Sequence, residues 1–315
     1  MPDRTLALDH LPVELLYEIY SFALSSAFPL TSKYIYTVFK TAPSSIHGDF
    51  LIDSYNAQSQ KSATARAFGF ISQALRYPIC TIPVLSSVFH NPRCPRIPMR
   101  GNHDFMPTVL PRRLFRNLSP RHHGSWTDTD EPLPFLRFLY THPRIPPIAT
   151  NSHDGYALTR AVFADHVPLI RFLLANEASP GCRDNIAVMV AIRKRNLPLV
   201  RMLIERDWTG PVDSLEMKPK RRKKLLFAGG PGGDDGTEPG GSEGSHTASS
   251  DASGSSSGGG GSTLGKRRKL GDRVKTDSIM LREAVKGDAR DIVDYLMKEK
   301  GVSPDMQTVL LMQSM

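Results

Sequence analysis

The sequence predicts an all-α protein in which short helical hairpins stack on one another, with a separate helical segment at the N-terminus and a long insertion. Two observations carry this prediction. A pattern of small and apolar residues recurs at a fixed spacing in the second half of the chain. Gly and Ser dominate a long stretch between two copies of that pattern. Strands alternating with helices are not visible in the pattern, which argues against an α/β fold.

The recurring pattern is clearest in residues 161–174 and 191–204, which align at a shift of 30 residues. In both segments a small residue, a Pro, two apolar pairs and an Arg fall at matching positions. A third copy covers residues 284–297, and residues 134–140 match the second half of the first copy at a shift of 34. Spacings of about 20 to 50 residues are typical of stacked repeat architectures.

Each copy predicts two short helices. The first carries a small residue (Ala161, Ala191 or Ala284), which lets a neighbouring unit approach closely. The second places apolar pairs at i, i+1, i+4 and i+5, which gives one apolar stripe at helical spacing. Because a single hairpin cannot bury its own stripe, we expect the units to stack into a solenoid. The stacking contacts are expected at three second-helix leucines, Leu173, Leu203 and Leu296.

The units resemble the ankyrin family, whose pattern runs Leu, two small residues, Gly-His, Ile-Val and Leu-Leu. The matching residues are Leu158, Ala161, Asp165-His166, Leu169-Ile170 and Leu173-Leu174, with Glu177-Ala178 at the family's Gly-Ala. The family's Thr-Pro-Leu-His is reduced to Ala157-Leu158-Thr159, and the second unit has Asn196 for His. The resemblance covers residues 133–210 and 278–315 and implies an ankyrin-type, protein-binding solenoid. A generic helical-hairpin solenoid is the alternative.

The N-terminus predicts a helix that opens at Leu11, with Asp9 or His10 as its cap and Pro12 near its first turn. A second helix is expected at residues 30–36. Together they resemble the F-box, whose pattern begins Leu-Pro-x-Glu-Leu-Leu-x-x-Ile and continues with Leu-x-Ser-Lys/Arg. The matching residues are Leu11, Pro12, Glu14, Leu15, Leu16, Ile19, Leu30, Ser32 and Lys33.

The F-box resemblance implies a docking surface for the small adaptor subunit of a cullin-based ubiquitin ligase. Its residues would be Leu11, Pro12, Leu15, Leu16, Ile19 and Leu30. The repeats would then present a substrate. The segment from Ser21 to Pro29 is shorter than in the family and lacks its Asp-Leu step. The alternative is an amphipathic hairpin that only packs on the repeats as a cap.

A long insertion separates the second and third units, because Ala284 follows Ala191 at a shift of 93 residues. Residues 229–265 hold 14 of the 24 glycines and few large apolar residues, so we expect disorder there. Two basic runs flank this stretch and predict a nuclear-import signal read by an import receptor, hence a nuclear or nucleo-cytoplasmic protein. Their residues are Lys218, Lys220, Arg221, Arg222, Lys223, Lys224, Lys266, Arg267, Arg268 and Lys269. Solvated charge, or a loose contact with nucleic-acid phosphates, is the alternative.

Residues 46–132 predict only short helices and turns, among them a helix at residues 63–77 that buries Phe70, Ile71, Ala74 and Leu75. The sequence therefore divides into five segments: an F-box-like segment at 1–45, a connecting region at 46–132, ankyrin-type repeats at 133–213, a basic and Gly/Ser-rich disordered insertion at 214–276, and a C-terminal repeat with a partial cap at 277–315.

Catalytic, metal and cofactor sites are not expected. The glycines at residues 229–233 lack the Lys-Ser/Thr of a phosphate loop, and the three cysteines are scattered. The histidines at residues 103 and 122–123 are interpreted as solvated loop residues. Neither a signal peptide nor an apolar run of about 18 residues is present, so no membrane association is expected.

The net charge of +9 is unevenly distributed. Residues 218–275 hold 12 Lys and Arg against 6 Asp and Glu, which leaves only +3 for the rest. This makes nucleic-acid binding by a folded domain an unfavoured interpretation. The sequence predicts a monomeric, non-enzymatic interaction protein, with the ligase adaptor subunit, an unidentified substrate and the import receptor as partners. A nuclear ankyrin-repeat scaffold with no ligase link is the rival, and a basic nucleic-acid-associated protein is a third class.

Overall fold

The computed structural model describes residues 8–61, 69–95, 97, 107–121, 124–206 and 271–313. All of them belong to one of the two units into which the chain divides, Met1–Trp208 with Leu270–Met315. The described residues are mostly helical, which confirms the all-α class. Residues 229–265 and both basic runs lie outside the described residues, whereas residues 271–276, at the end of the predicted insertion, are described, and Val274 among them is buried. None of the helices described has the length and apolar character that crossing a membrane requires.

The N-terminal region, residues 8–61, contains three helices: α1 (Val13–Ala23), α2 (Lys33–Lys40) and α3 (Ser44–Lys61). Asp9 lies with His10 in a short 3-10 turn, and α1 follows Pro12 without a side-chain cap, so the predicted cap is wrong. A second 3-10 turn covers Phe28–Leu30, so α2 begins at Lys33 and not at residue 30 as predicted. Ser32 begins α2 instead, because its hydroxyl accepts a hydrogen bond from the Tyr34 N–H at 3.1 Å.

Aromatic rings fill the core of the N-terminal region. Tyr20 of α1 stacks on Phe50 of α3, with ring centroids 4.2 Å apart, and lies 4.5 Å from Phe39 of α2. Leu16 and Ile35 are buried beside these rings. The three helices therefore share one core, and aromatic pairs of this geometry add to the stability gained from burial alone.

Short elements connect the N-terminal region to the second half of the chain. They are α4 (Phe70–Ala74), α5 (Ile82–His90), α6 (Arg113–Arg116) and α7 (Leu133–Thr141), with the two-residue parallel strands β1 (Thr108–Val109) and β2 (Ile148–Ala149). The helix predicted at residues 63–77 is described only as α4 and its flanks. The four residues predicted to be its buried side, Phe70, Ile71, Ala74 and Leu75, are all buried.

Three helix pairs follow, with the same order of a longer and a shorter helix. They are α8 (Ser152–Phe163) with α9 (Val167–Ala175), α10 (Cys182–Arg193) with α11 (Leu197–Ile204), and α12 (Ser278–Lys286) with α13 (Arg290–Asp294). A π-helical turn, Tyr295–Glu299, extends α13, and α14 (Met306–Gln313) ends the described chain. Helix α10 packs against α8 and α12, and Leu173, Leu203 and Leu296 are fully buried.

The turns within the three pairs have one hydrogen-bond pattern. Asp165, Arg195 and Asp288 each adopt a left-handed backbone, with φ of 54°, 54° and 47°. The N–H of the residue that follows each of them bonds to the carbonyl of Ala161, Ala191 or Ala284 at 3.0 to 3.3 Å. This is the bonding of a Schellman turn, which satisfies carbonyls at the end of a helix. The carbonyls of these three alanines, all fully buried, therefore accept the hydrogen bond that closes the first helix of each pair.

The described stretch that begins at residue 271 lies against the end of the preceding described stretch at residues 204–206. The Arg273 N–H donates to the Ile204 carbonyl at 2.7 Å. The Lys300 ammonium bonds Asp272 at 2.8 Å and Glu205 at 3.2 Å, and the Tyr295 hydroxyl donates to Glu205 at 2.9 Å. Residues on the two sides of the insertion are thus fastened to each other and to the π-helical turn.

Candidate protein-docking surface

Large apolar side chains are exposed on two parts of the N-terminal region. Along α1, Leu15, Glu18 and Phe22 lie three and four residues apart and form one exposed row, the α1 stripe. Phe22 is 86% exposed. In the second part, Leu30 is 72% exposed and lines a cavity of about 420 Å³, the Leu30 groove. Exposed apolar clusters of this kind are typical of protein-interaction sites.

The α1 stripe is held in place by the opposite face of the same helix. Leu16 and Tyr20, one turn apart, are buried at 0% and 1% exposure against the aromatic core. Because these two residues fix the rotation of α1, Leu15 and Phe22 must point outward. The stripe is therefore a rigid surface whose acidic member is Glu18, with Glu14 exposed beside it.

The Leu30 groove is formed by the 3-10 turn and the first turns of α2. Its lining residues are Leu30, Ser32, Lys33, Tyr36 and Thr37. The hydroxyl of Thr37 donates to the Lys33 carbonyl at 2.9 Å, and the Ser32 cap orders the start of α2. The groove thus combines an apolar wall from Leu30 and Tyr36 with one cation, Lys33.

The six residues predicted to dock the adaptor are found in different environments. Leu15, Pro12 and Leu30 are exposed, whereas Leu11 and Ile19 are half-buried and pack against the core. Leu16 lies inside the core, so its side chain is not available to a partner.

Two exposed tyrosines, Tyr34 and Tyr36, were not included in the sequence prediction. They flank the buried Ile35 in α2, and the tripeptide Tyr-Ile-Tyr was the only available signal for them. On a helix, residues next to a buried position lie about 100° away from it, which leaves both tyrosines at the edge of the exposed side.

The ring of His166 serves as a helix cap at the start of α9. Its Nδ1 accepts a hydrogen bond from the Leu169 N–H at 3.2 Å, and Trp126 stacks on the ring with centroids 4.4 Å apart. Burial lowers the pKa of His166 to about 4, so the ring is neutral near pH 7. In the next pair the amide oxygen of Asn196 accepts from the Leu199 N–H at 3.0 Å. Asn thus performs the same capping as His at the matching position.

Reactive groups are few in the part of the chain that the structure describes. No three His, Cys, Asp or Glu side chains there lie close enough to hold a metal ion. The Cys80 thiol is buried, and burial raises its pKa to about 12, which disfavours the nucleophilic thiolate. The histidines at residues 103 and 122–123 lie outside the described residues.

Comparisons of the chain with protein-family models, with curated proteins and with solved structures return no match. The features that bear on function are the exposed α1 stripe, the Leu30 groove and the geometry of the helix pairs.

Proposed function

We propose that this protein is a non-enzymatic interaction protein that recruits a substrate to a cullin-based ubiquitin ligase. In this proposal the α1 stripe and the Leu30 groove bind the small adaptor subunit of the ligase. The helix pairs act as ankyrin-type repeats that bind the substrate. The observation that carries the proposal is the exposure of Leu15, Phe22 and Leu30 on helices whose opposite faces are buried.

The geometry of the helix pairs supports the ankyrin-type interpretation. The left-handed residues Asp165, Arg195 and Asp288 stand where the family has the Gly of its Gly-His pair. Glu177, also left-handed with φ of 64°, stands where the family has the Gly of its Gly-Ala pair. Left-handed conformation favours Gly, so positions with this backbone are where a family Gly is expected.

Replacement of two exposed residues by charge tests adaptor binding. Phe22→Asp combined with Leu30→Asp should abolish co-purification of a purified adaptor subunit with the full chain, because an apolar interface cannot bury two unpaired carboxylates. The matched control is Leu310→Asp in α14, where a leucine is 57% exposed. All variants should keep the wild-type melting temperature. Wild-type chain that fails to bind the adaptor, or a double variant that binds it normally, would remove the ligase part of the proposal.

A nuclear ankyrin-repeat scaffold with no ligase link is the second candidate. The burial of Leu16 and Tyr20 in the core favours this scaffold, because a helix that serves only as a structural cap needs a buried face. A pull-down with mass spectrometry that compares the full chain with residues 45–315 separates the two. The scaffold predicts that the shorter chain loses stability together with all partners, and the ligase adaptor predicts selective loss of ligase subunits.

Nuclear import through the two basic runs is proposed as the route to the nucleus. Such runs gain charge-assisted contacts in an acidic groove of an import receptor. Replacing Lys220, Arg221, Arg222 and Lys223 with Ala should shift a fluorescent fusion from the nucleus to the cytoplasm. Residues 216–226 grafted onto an inert cytoplasmic carrier should draw it into the nucleus. If the variant stays nuclear and the graft stays cytoplasmic, the runs act only as solubilising charge.

A further inference from the structure

A second cavity, of about 200 Å³, lies where the loop at residues 121–130 meets the turn between α8 and α9. We name it the Trp126 cavity. Its lining includes Arg121, Ser125, Trp126, Asp165, Val167 and Pro168. The cavity is small enough to take a single side chain, and its walls are mostly apolar apart from the two charged groups.

Trp126 is a fixed wall of this cavity. Its indole N–H donates to the Ala164 carbonyl at 2.8 Å, and its ring lies between the His166 ring and the Arg121 guanidinium, whose carbon is 3.7 Å from the ring centroid. Arg121 in turn pairs with Asp130 at 2.7 Å. Since three neighbours hold the indole, the cavity exists before any partner binds, which lowers the entropic cost of binding.

An exposed aromatic residue and several cations adjoin the cavity. Phe163, the last residue of α8, is 39% exposed. The Lys194 ammonium donates to the Phe163 carbonyl at 2.7 Å, which joins the end of α10 to the end of α8. Arg193 and Arg195, on either side of Lys194, are exposed. Arg195 has no carboxylate within salt-bridge distance among the residues that the structure describes.

The charge of the folded part is concentrated in this part of the chain. Residues 107–206 contain 14 Lys and Arg against eight Asp and Glu. Residues 8–61 contain three against five, and residues 271–313 contain seven against eight. Beside the cavity, Asp130 and Asp165 are already paired with Arg121 and Lys194. Arg193 is paired as well, with Glu283 of α12 at 3.2 Å, whereas Arg195 has no carboxylate partner among the described residues. Arg195 and the net positive charge of residues 107–206 therefore favour a partner that brings negative charge.

We propose that the Trp126 cavity, Phe163 and the cation Arg195 together bind an extended acidic peptide that inserts one aliphatic side chain into the cavity. The inference rests on the proposed function as an interaction protein and names the chemical class of its partner. The aliphatic side chain gains by leaving water in a preformed apolar site. The acidic residues on either side gain from the cations at the ends of α8 and α10 and determine the choice of partner.

Tryptophan fluorescence gives a direct test. The chain has two tryptophans, so Trp208→Phe leaves Trp126 as the only one. The probe is a short peptide of Glu and Asp with one central Leu. It should change the Trp126 emission in a saturable way, and added salt should weaken its binding. Replacing Leu with Gly in the peptide, or its acids with Gln and Asn, should each weaken binding at least about tenfold, since each removes one of the two recognised features.

Charge reversal on the protein supplies the matched variants. Arg195→Glu should weaken binding of the acidic peptide at least about tenfold. The control reverses another exposed arginine, Arg171→Glu in α9, and should bind like wild type. Phe163→Asp gives a second disruption in case Arg195→Glu lowers the melting temperature.

Three results would overturn the proposal: no saturable response to the acidic Leu peptide, equal binding of the acidic and amide peptides, or normal binding by the Arg195→Glu variant. The same variants are tested for adaptor co-purification. Loss of peptide binding with adaptor binding retained concerns this surface alone. Loss of adaptor binding in Phe22→Asp with Leu30→Asp, with peptide binding retained, concerns the N-terminal surface alone.

Discussion

The N-terminal region and the helix pairs form the core in different ways. Aromatic rings from α1, α2 and α3 meet in the N-terminal region, where Tyr20 contacts Phe39 and Phe50. In the helix pairs, a fully buried alanine lies in the last turn of the first helix, and leucines such as Leu203 are fully buried in the second. A core of alanine and leucine can be repeated with the same spacing, whereas an aromatic core requires its own arrangement of rings. This difference explains why only the helix pairs leave a periodic signal in the sequence.

The two regions also differ in surface. The α1 stripe combines apolar side chains with exposed Glu14 and Glu18, whereas Phe163 near the Trp126 cavity is surrounded by cations. One protein therefore has two surfaces with opposite charge and different apolar content. Such surfaces select different partners, because like charges placed against each other weaken binding.

The largest effect is expected where a charge enters either core. Leu16→Asp in α1 and Leu203→Asp in α11 should each lower the free energy of unfolding by about 4 kcal/mol or more, because both leucines are fully buried. Leu15→Asp, one residue away from the first, is the matched control and should change it by less than about 1 kcal/mol. Chemical denaturation measures all three. A normal stability for Leu16→Asp would show that α1 does not pack as described, and the same result for Leu203→Asp would remove the stacked pairs.

Close approach between helices is tested by enlarging an alanine. Ala191→Leu should cost about 1 to 3 kcal/mol, because Ala191 is fully buried where α10 turns toward α11 and extra methylene groups force neighbours apart. Ala175→Leu, at an exposed position in α9, serves as the control and should be nearly neutral. If thermal unfolding shows Ala191→Leu to be as stable as the control, alanine there does not reflect tight packing.

The two side-chain caps should respond differently to pH. His166 has a pKa of about 4 in the folded chain and 6.5 as an ordinary His. Between these values the unfolded chain binds more protons at this residue than the folded chain. The free energy of unfolding is therefore unaffected by His166 above pH 6.5 and falls as the pH drops toward 4. The loss should reach about 1 to 2 kcal/mol at pH 5. Asn196 does not titrate and contributes no such dependence.

The variant His166→Asn gives α9 the same capping residue that Asn196 provides for α11. Its unfolding free energy should vary less between pH 7 and pH 5 than that of the wild type, although loss of the Trp126 contact lowers its stability at pH 7. Urea titrations at both pH values measure the difference between the two proteins, in which the other histidines cancel. An equal pH dependence for variant and wild type would mean that His166 is not kept neutral by burial.

Particular residues show how much of the fold and of the docking surface can be predicted from the sequence. Helical spacing correctly predicted that Leu173, Leu203 and Leu296 are buried, because apolar residues at this spacing lie on one face of a helix. The F-box resemblance, and not helical spacing, implied that Leu16 belongs to a docking surface. Leu15 and Leu16 both belong to the apolar face of α1, and only contacts with Phe39 and Phe50, distant in sequence, decide which one is buried. The Trp126 cavity had no signal at all, since loop 121–130 and the α8–α9 turn meet only in three dimensions.

The smallest effect is expected for the insertion. Replacing residues 229–265 with a short Gly/Ser linker should change the free energy of unfolding by less than about 1 kcal/mol, because each doubling of loop length costs only about 0.6 kcal/mol. The fold itself already brings the two ends together, through the Arg273 N–H on the Ile204 carbonyl and Lys300 on Glu205. Circular dichroism and thermal unfolding measure the outcome. A cooperative loss of helix in the shortened chain would mean that residues 229–265 contribute to the core. The molecule would then have a third core region beside the aromatic and the aliphatic one.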